Sequence, residues 1–278
     1  MDLTDINTLK KLLSEYKTSP REGWGQNFLI SKKILEQILE TAKIKKTDLI
    51  LEVGGGAGTL TQELAKRAKE ITVIEKDPQL IPVLGHVLEG FKNIKIIKGD
   101  ALKLEALPYS KGKKKWRIIA NIPYWITGRF LRIVLESENP PTEIMLMVQK
   151  ELAERICSQP PRMSLLSVSV QYYGKPKIII NNISPDNFWP ASGVNSAVIK
   201  IIVGKKIRDA FKTKKFFTLI RAGFAHPRKQ LRSNLKRAFT LSDPRVNDLF
   251  DTCNIKKTAR AQELKLAAWS YLAEKIML

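Results

Sequence analysis

The chain has 278 residues, 44% of them hydrophobic, and a formal net charge of +21. This composition supports a packed core and excludes wholesale disorder. No apolar run is long enough to cross a bilayer, and the N-terminus has no secretory signal pattern. Two cysteines and two histidines are too few for a disulfide scaffold, and we expect no metal site. We therefore expect a cytoplasmic protein without a membrane attachment.

The positive charge is most concentrated towards the C-terminal end. Residues 205–278 hold 18 Lys and Arg against 6 Asp and Glu, a net charge of +12. The charge of the whole chain exceeds the magnitude of about 2–8 that keeps a small domain soluble. Such a surplus indicates a polyanionic partner, either nucleic acid or an anionic membrane surface.

Short β-rich runs alternate with helical patterns between Asp48 and Gln149. This alternation predicts an α/β fold with a doubly wound parallel sheet, whose ligands bind at the carboxyl ends of the strands. Two later runs bring the expected number of strands to seven. The predicted strands are Leu49–Val53, Ile71–Ile74, Ile94–Ile97, Arg117–Ala120, Ile144–Val148, Lys177–Ile180 and Ala197–Ile202.

The pattern becomes helical after Gly204. Apolar residues then recur every four positions, first at Phe216 and Ile220 and later at Leu231 and Leu235. We therefore predict a sheet domain over residues 1–204 and a small, basic, all-helical domain over residues 205–278.

A glycine-rich turn follows the first predicted strand. Gly54, Gly56 and Gly58 let the backbone turn tightly and approach a ligand closely. A dinucleotide fingerprint needs its third glycine where Thr59 stands. The spacing fits the nucleoside loop of S-adenosylmethionine-dependent methyltransferases better. Glu75, after the second strand, can accept hydrogen bonds from both ribose hydroxyls, although dehydrogenases use that position similarly.

Two more polar residues follow the third and fourth strands. Asp100 is a candidate partner for an adenine amino group, although an aspartate here also commonly caps a helix. Asn121 begins the motif Asn121-Ile-Pro-Tyr124. Because parallel strands end at one edge of the sheet, we expect Gly54, Glu75, Asp100 and Asn121 to form one site.

The motif Asn121-Ile-Pro-Tyr124 is typical of enzymes that methylate amide or amine nitrogens. The lone pair of an exocyclic amino group is delocalised into its ring and is a poor nucleophile. The Asn121 side-chain oxygen and a nearby backbone carbonyl can accept both N–H hydrogens, which favours a pyramidal nitrogen. Tyr124 offers a face on which an extruded base can stack.

The sequence resembles the rRNA adenine N6,N6-dimethyltransferases. The motifs that carry the resemblance occur in the same order as in that family and extend over nearly the whole chain. The segments that carry the resemblance are Gly25–Leu29, Glu52–Gly58, Gly99–Leu102, Asn121–Tyr124, Gln149–Arg155, Leu166–Tyr173, Phe188–Pro190, Val194–Val198 and Phe224–Leu235.

The resemblance implies a cofactor site, a base pocket and an RNA-binding segment. Asn121 and Tyr124 would position the target adenine, and Phe188 would close the other face of that base. Arg228, Lys229, Arg232 and Lys236 would form one stripe, if their segment is helical, and contact RNA phosphates. The implied residues for S-adenosylmethionine are Asn27, Leu29, Gly54, Gly56, Glu75, Asp100 and Asn121.

The sequence departs from the family pattern at two places. Gly193 stands where a lysine is usual, and one proline of the same run is missing. Arg162–Leu165 replaces a Tyr-Gly-Arg segment. Both changes concern contacts with RNA rather than methyl transfer.

The resemblance implies a monomeric enzyme that converts two adjacent adenosines near the 3′ end of small-subunit (16S) rRNA to N6,N6-dimethyladenosine. Its partner would be ribosomal RNA or a precursor of the small ribosomal subunit. Three alternatives remain: a large-subunit (23S) rRNA methylase of the macrolide-resistance type, a non-catalytic RNA-binding assembly factor, and a protein glutamine methylase. The last would be expected to carry Asn-Pro-Pro-Tyr.

Overall fold

The computed structural model of the protein describes residues 1–103, 107–109, 112, 114–204 and 209–276. Two compact units share this chain. The first comprises Met1–Ala153 with Pro176–Val203, and the second comprises Glu154–Lys175 with Gly204–Leu278. Two segments of the sequence therefore contribute to each unit.

Seven of the nine described strands match the predicted runs closely, and the two strands of only two residues each were not predicted. The strands are β1 (Phe28–Leu29), β2 (Leu49–Val53), β3 (Glu70–Glu75), β4 (Ile94–Lys98), β5 (Arg117–Asn121), β6 (Glu143–Gln149), β7 (Gly174–Ile183), β8 (Phe188–Trp189) and β9 (Ser196–Val203). Over the described ranges, seven of them form one sheet in the order β4-β3-β2-β5-β6-β9-β7. The predicted doubly wound α/β fold with seven strands is confirmed.

The sheet is mixed rather than wholly parallel. Strands β2 to β6 pair in parallel with their neighbours, whereas β9 runs antiparallel to β6. Strands β7 and β9 are neighbours in the sheet, and the segment between them contains only a short 3₁₀ turn and β8.

Helices cover the sheet in the first unit and form the second unit. They are α1 (Ile6–Glu15), α2 (Lys32–Ala42), α3 (Thr59–Ala65), α4 (Leu80–Val87), α5 (Thr127–Glu136), α6 (Lys150–Cys157), α7 (Leu165–Tyr173), α8 (Ala210–Gly223), α9 (Leu231–Phe239), α10 (Asp243–Thr252) and α11 (Leu266–Lys275). The apolar face of α2 packs with Ile50 and Ile119 of the sheet in one core.

The order of the strands reverses direction between β2 and β5. The chain runs from β2 through β3 to β4 on one side, and then from β5 to β6 on the other. In doubly wound sheets the ligand crevice opens at this switch point, outside the carboxyl ends of the strands. Gly54 follows β2 and Asn121 ends β5, so both flank it.

The second unit has its own core around the fully buried Trp269. Helix α7 belongs to this core, because Val168 is buried in it and the ring of Tyr172 stacks on Phe216 of α8 with centroids 4.1 Å apart. The structure divides the chain between Val203 and Gly204, and Glu154–Lys175, which the prediction placed in the sheet domain, packs in the helical unit. Residues 205–208, at the start of the predicted helical domain, lie outside the described residues.

Neither a membrane span nor a metal cluster occurs in the part of the chain that the structure describes. Its helices are too short or too polar to cross a bilayer. No three His, Cys, Asp or Glu side chains among these residues are grouped so that they could hold a metal ion.

Candidate active site

A cavity of the first unit opens at the switch point of the sheet. The ends of β2, β3 and β5 line it from one side, together with the segment that contains β1. It brings together eight of the residues predicted from the sequence: Asn27, Leu29, Gly54, Gly56, Glu75, Asp100, Asn121 and Tyr124. They lie far apart in the chain, and the sheet collects them at one edge.

At the glycine turn, backbone without side chains lines the cavity. Gly54 has a φ of +74°, and a Cβ atom there would lie 3.4 Å from the Asn121 carbonyl oxygen. Gly56 has a φ of +57°, and a Cβ atom there would meet the ring of Phe28 at 3.1 Å. Positive φ favours glycine, and a side chain at either position would also crowd the cavity.

Glu75 is buried at the end of β3 and faces the glycine turn. Its Oε2 accepts a hydrogen bond from the Gly56 backbone N–H at 3.0 Å, and its Oε1 accepts one from the Asp77 backbone N–H at 2.8 Å. Burial raises the pKa of Glu75 above its ordinary value, against the opposing effect of these hydrogen bonds. Each oxygen keeps a further acceptor position for a ligand hydroxyl.

Asp100 lies at the cavity rim, beside a lysine. Its Oδ1 accepts from the Leu102 backbone N–H at 2.9 Å, and its Oδ2 pairs with Lys76 Nζ at 3.0 Å. Although partial burial raises the pKa of Asp100, the Leu102 hydrogen bond and the Lys76 ammonium together lower it below its ordinary value. Asp100 is therefore an ionised acceptor with room for another donor.

Asn121 and Tyr124 occupy the two ends of the turn that follows β5. Asn121 Nδ2 donates to the Asn27 carbonyl oxygen at 3.4 Å, which leaves the side-chain Oδ1 as the acceptor. The Tyr124 hydroxyl lies 2.5 Å from the hydroxyl of Ser196, and Ser196 is fully buried. The side chain of Tyr124 is thus anchored at its polar end.

Phe188 does not line the cavity. It pairs with Leu29 in the short β1–β8 ladder, is 2% exposed and packs in the core of the first unit. The antiparallel pairing, which the sequence patterns did not predict, holds this side chain inward. Its role at the target base therefore stays a prediction, and Phe188 is not among the residues that line the cavity.

Glu52 is a cavity residue to which the sequence analysis assigned no role. It is 1% exposed, lines the cavity and has an Oε2 atom that is buried without a hydrogen-bond partner. Burial raises the pKa of Glu52 to about 8. Its position as the first residue of the glycine motif could have suggested a role from the sequence. Its burial and its oxygen without a hydrogen-bond partner are visible only in the structure.

The four basic residues predicted to contact RNA do not share one helix. Arg228 and Lys229 are exposed and lie in the turn before α9, which begins at Leu231. Arg232 and Lys236 lie on α9, and both pair with the exposed Asp243, at 3.1 and 2.6 Å. The expectation of a single helical stripe is therefore wrong, because the helix begins after the first two residues.

The fold and the cavity together define a Rossmann-like methyltransferase. A model of the family described as ribosomal RNA adenine dimethylase matches residues 18–277. The chain belongs to this family.

Named relatives and solved structures agree with this assignment. The chain is 36% identical to the ribosomal RNA small subunit methyltransferase A of Dehalococcoides mccartyi, over 95% of this chain and 90% of the relative. It is 35% identical to the protein of the same name from Clostridium botulinum, over 97% and 98%. A crystal structure of a dimethyladenosine transferase from Plasmodium falciparum superposes with a TM-score of 0.75 at 25% identity, covering 88% of this chain and 95% of that chain.

Proposed function

We propose that this protein dimethylates the N6 amino groups of two adjacent adenosines near the 3′ end of small-subunit rRNA, with S-adenosylmethionine as the donor. The observation that carries the proposal is the single cavity in which the Asn121–Tyr124 turn faces the glycine turn and Glu75. Membership of the dimethylase family and the names of the relatives support the choice of substrate.

The residues of the cavity fit S-adenosylmethionine. Ionised Asp100 and the two oxygens of Glu75 offer acceptors for an adenine amino group and ribose hydroxyls. The buried, unpartnered oxygen of Glu52 is the kind of acceptor that the ammonium of an amino acid requires. When bound, S-adenosylmethionine supplies an electrophilic methyl group.

Asn121 prepares the adenine nitrogen for attack. Because its Nδ2 is turned towards Asn27, its Oδ1 accepts one hydrogen of the amino group, and a backbone carbonyl of the turn stiffened by Pro123 accepts the other. These contacts strengthen as the nitrogen becomes pyramidal, so they favour the transition state over the ground state. The nitrogen becomes acidic as it is alkylated, so the site needs no strong base.

Tyr124 holds the plane of the base. Its hydroxyl is anchored on Ser196, so the ring is fixed and its face can stack on an extruded adenine.

The proposed partner is a precursor of the small ribosomal subunit, and we propose a monomeric enzyme in the cytoplasm, where that precursor is assembled. The charge of +21 supports binding to a polyanion of this kind.

The decisive experiment offers purified small and large ribosomal subunits, both lacking these modifications, to the protein with labelled S-adenosylmethionine. We expect label on two adjacent adenosines of the small-subunit rRNA, with four methyl groups per RNA at completion. Label on a large-subunit adenosine would replace the proposal with the macrolide-resistance activity. Binding of RNA without methyl transfer would support a non-catalytic assembly factor.

A further inference from the structure

Trp125 is an exposed tryptophan at the rim of the cavity. It follows Tyr124 directly, on the 3₁₀ turn Tyr124–Ile126, and it is 63% exposed although its neighbours Ile122 and Ile126 are buried. Large aromatic side chains usually bury most of their area. An indole left open beside a ligand cavity indicates a surface that another molecule covers.

Trp125 shares a cation with a second indole, and that second indole has a further cation over it. Trp24 lines the same cavity, and the Lys76 ammonium lies over both indoles, 5.8 Å from the Trp24 centroid and 5.7 Å from that of Trp125. The Arg21 guanidinium lies 5.3 Å from the Trp24 centroid. Sites that bind single-stranded nucleic acid combine aromatic rings with cations. The bases stack on the rings, and the cations attract the phosphates.

Carboxylates and a glutamine fix the positions of these cations. Lys76 pairs with Asp100 at 3.0 Å, and Arg21 pairs with Asp77, which is 1% exposed, at 3.5 Å. Gln26 connects the loop to the segment that follows β3, because its Nε2 donates to Asp77 at 2.8 Å and its Oε1 accepts from the Arg21 backbone N–H at 2.9 Å. The loop that carries Trp24 is therefore held in place before any ligand arrives, which lowers the entropic cost of binding.

We propose that Trp125, supported by Trp24 and Lys76, is a stacking site for an unpaired RNA base next to the target adenosine. The inference rests on the proposed function, and it adds a second base-binding position outside the pocket formed by Asn121 and Tyr124. The site favours RNA over an apolar protein partner, because Lys76 lies over both indoles, Arg21 lies over Trp24 and the chain carries a charge of +21.

The test compares W125F, W125L and W125A with the wild type. Methyl transfer to unmodified small subunits gives KM and kcat, and calorimetry gives the affinity for S-adenosylhomocysteine. We expect W125L and W125A to raise the KM for subunits roughly 5- to 100-fold, the effect of losing one base–aromatic stack. We expect W125F to stay close to the wild type, with kcat and cofactor affinity unchanged in all three. F211A is the matched control, since Phe211 is 70% exposed and does not line the cavity.

The outcomes separate this inference from the proposed function. If the wild type labels no adenosine of the small subunit, the proposed function fails. If the wild type is active but W125L keeps a normal KM, or F211A loses as much as W125L, the stacking site is wrong. A loss of cofactor affinity in W125L, with a normal KM for subunits at saturating cofactor, would mean that the indole covers the cofactor, and would also overturn the inference.

Discussion

We expect Asn121 to contribute to the chemical step more than to binding, because its proposed contacts strengthen as the amino nitrogen becomes pyramidal. Asn121→Ala should therefore lower single-turnover methyl transfer by roughly 10²–10³, the scale of losing one well-placed polar stabiliser. RNA affinity should persist, since most of it comes from phosphates. Rapid-quench measurement at saturating cofactor checks this expectation. Full single-turnover activity in the variant would require the amino-group mechanism to be abandoned.

Tyr124 combines a ring for which we propose a stacking role with a hydroxyl that contacts Ser196. Tyr124→Phe keeps the ring and should leave methyl transfer nearly unchanged, but it removes the partner of the buried Ser196 hydroxyl. We expect it to cost about 1–3 kcal/mol of unfolding free energy. Tyr124→Ala should also slow transfer, because it loses about 1–3 kcal/mol of base stacking. Denaturant unfolding and single-turnover assays distinguish the two effects, and slow transfer by the phenylalanine variant would assign the hydroxyl a chemical role.

We expect Glu52 to make the stability of the ligand-free protein depend on pH. Its folded-state pKa, about 8, lies above the ordinary value of 4.5. Below both values the carboxyl is protonated in either state, whereas between them only the unfolded state is ionised. The contribution of Glu52 to stability is therefore present at low pH and is lost as the pH rises towards 8.

Glu52→Gln removes this dependence. The unfolding free energy of the variant relative to the wild type should rise by on the order of a few kcal/mol between pH 5 and pH 8. Urea unfolding of both proteins across this range provides the measurement. Glu138→Gln, a substitution outside the cavity lining, is the control for the general effect of replacing a carboxylate with an amide. A constant difference between Glu52→Gln and wild type would show that Glu52 titrates normally.

At the scale of elements, the turn before α9 and α9 itself present different cations. Arg228 and Lys229 are exposed in the turn, whereas Arg232 and Lys236 share Asp243. Neutralising Arg228 and Lys229 together should reduce the magnitude of the salt slope of RNA binding by about 1.4, at about 0.7 per single-strand phosphate contact. Filter binding over a range of salt measures the slope. Arg245→Ala, which removes an exposed cation paired with Asp248, should change it little. An unchanged slope in the double variant would mean that the turn is only a solvated surface.

At the scale of the whole molecule, the net charge of +21 predicts that RNA binding and cofactor binding differ in their dependence on salt. RNA binding neutralises phosphates and releases counterions, so raising the salt concentration from 50 to 200 mM should weaken it by on the order of 10²-fold or more. Binding of S-adenosylhomocysteine, which we propose depends on contacts inside the cavity, should change little. Parallel titrations with RNA and with the cofactor product check this difference, and equal sensitivity to salt would show that the basic surface does not drive RNA binding.

The sequence by itself determined the strands of the seven-stranded sheet and most of the residues that line the cavity. Apolar runs of strand length, separated by helical patterns, are a local signal, and they located the seven strands of the sheet to within a few residues at each end. Because parallel strands end at one edge, the residues after them had to meet, which is why Gly54, Glu75, Asp100 and Asn121 could be grouped in advance.

Only the tertiary structure decided the features that depend on distant packing. Val168 and Tyr172 pack on the C-terminal helices and move their segment into the second unit. The β1–β8 ladder pairs residues far apart in the chain and buries Phe188. Burial raises the pKa of Glu52, whereas Trp125 is left exposed at the cavity. Burial is the sum of contacts from many segments, and no local pattern contains that sum.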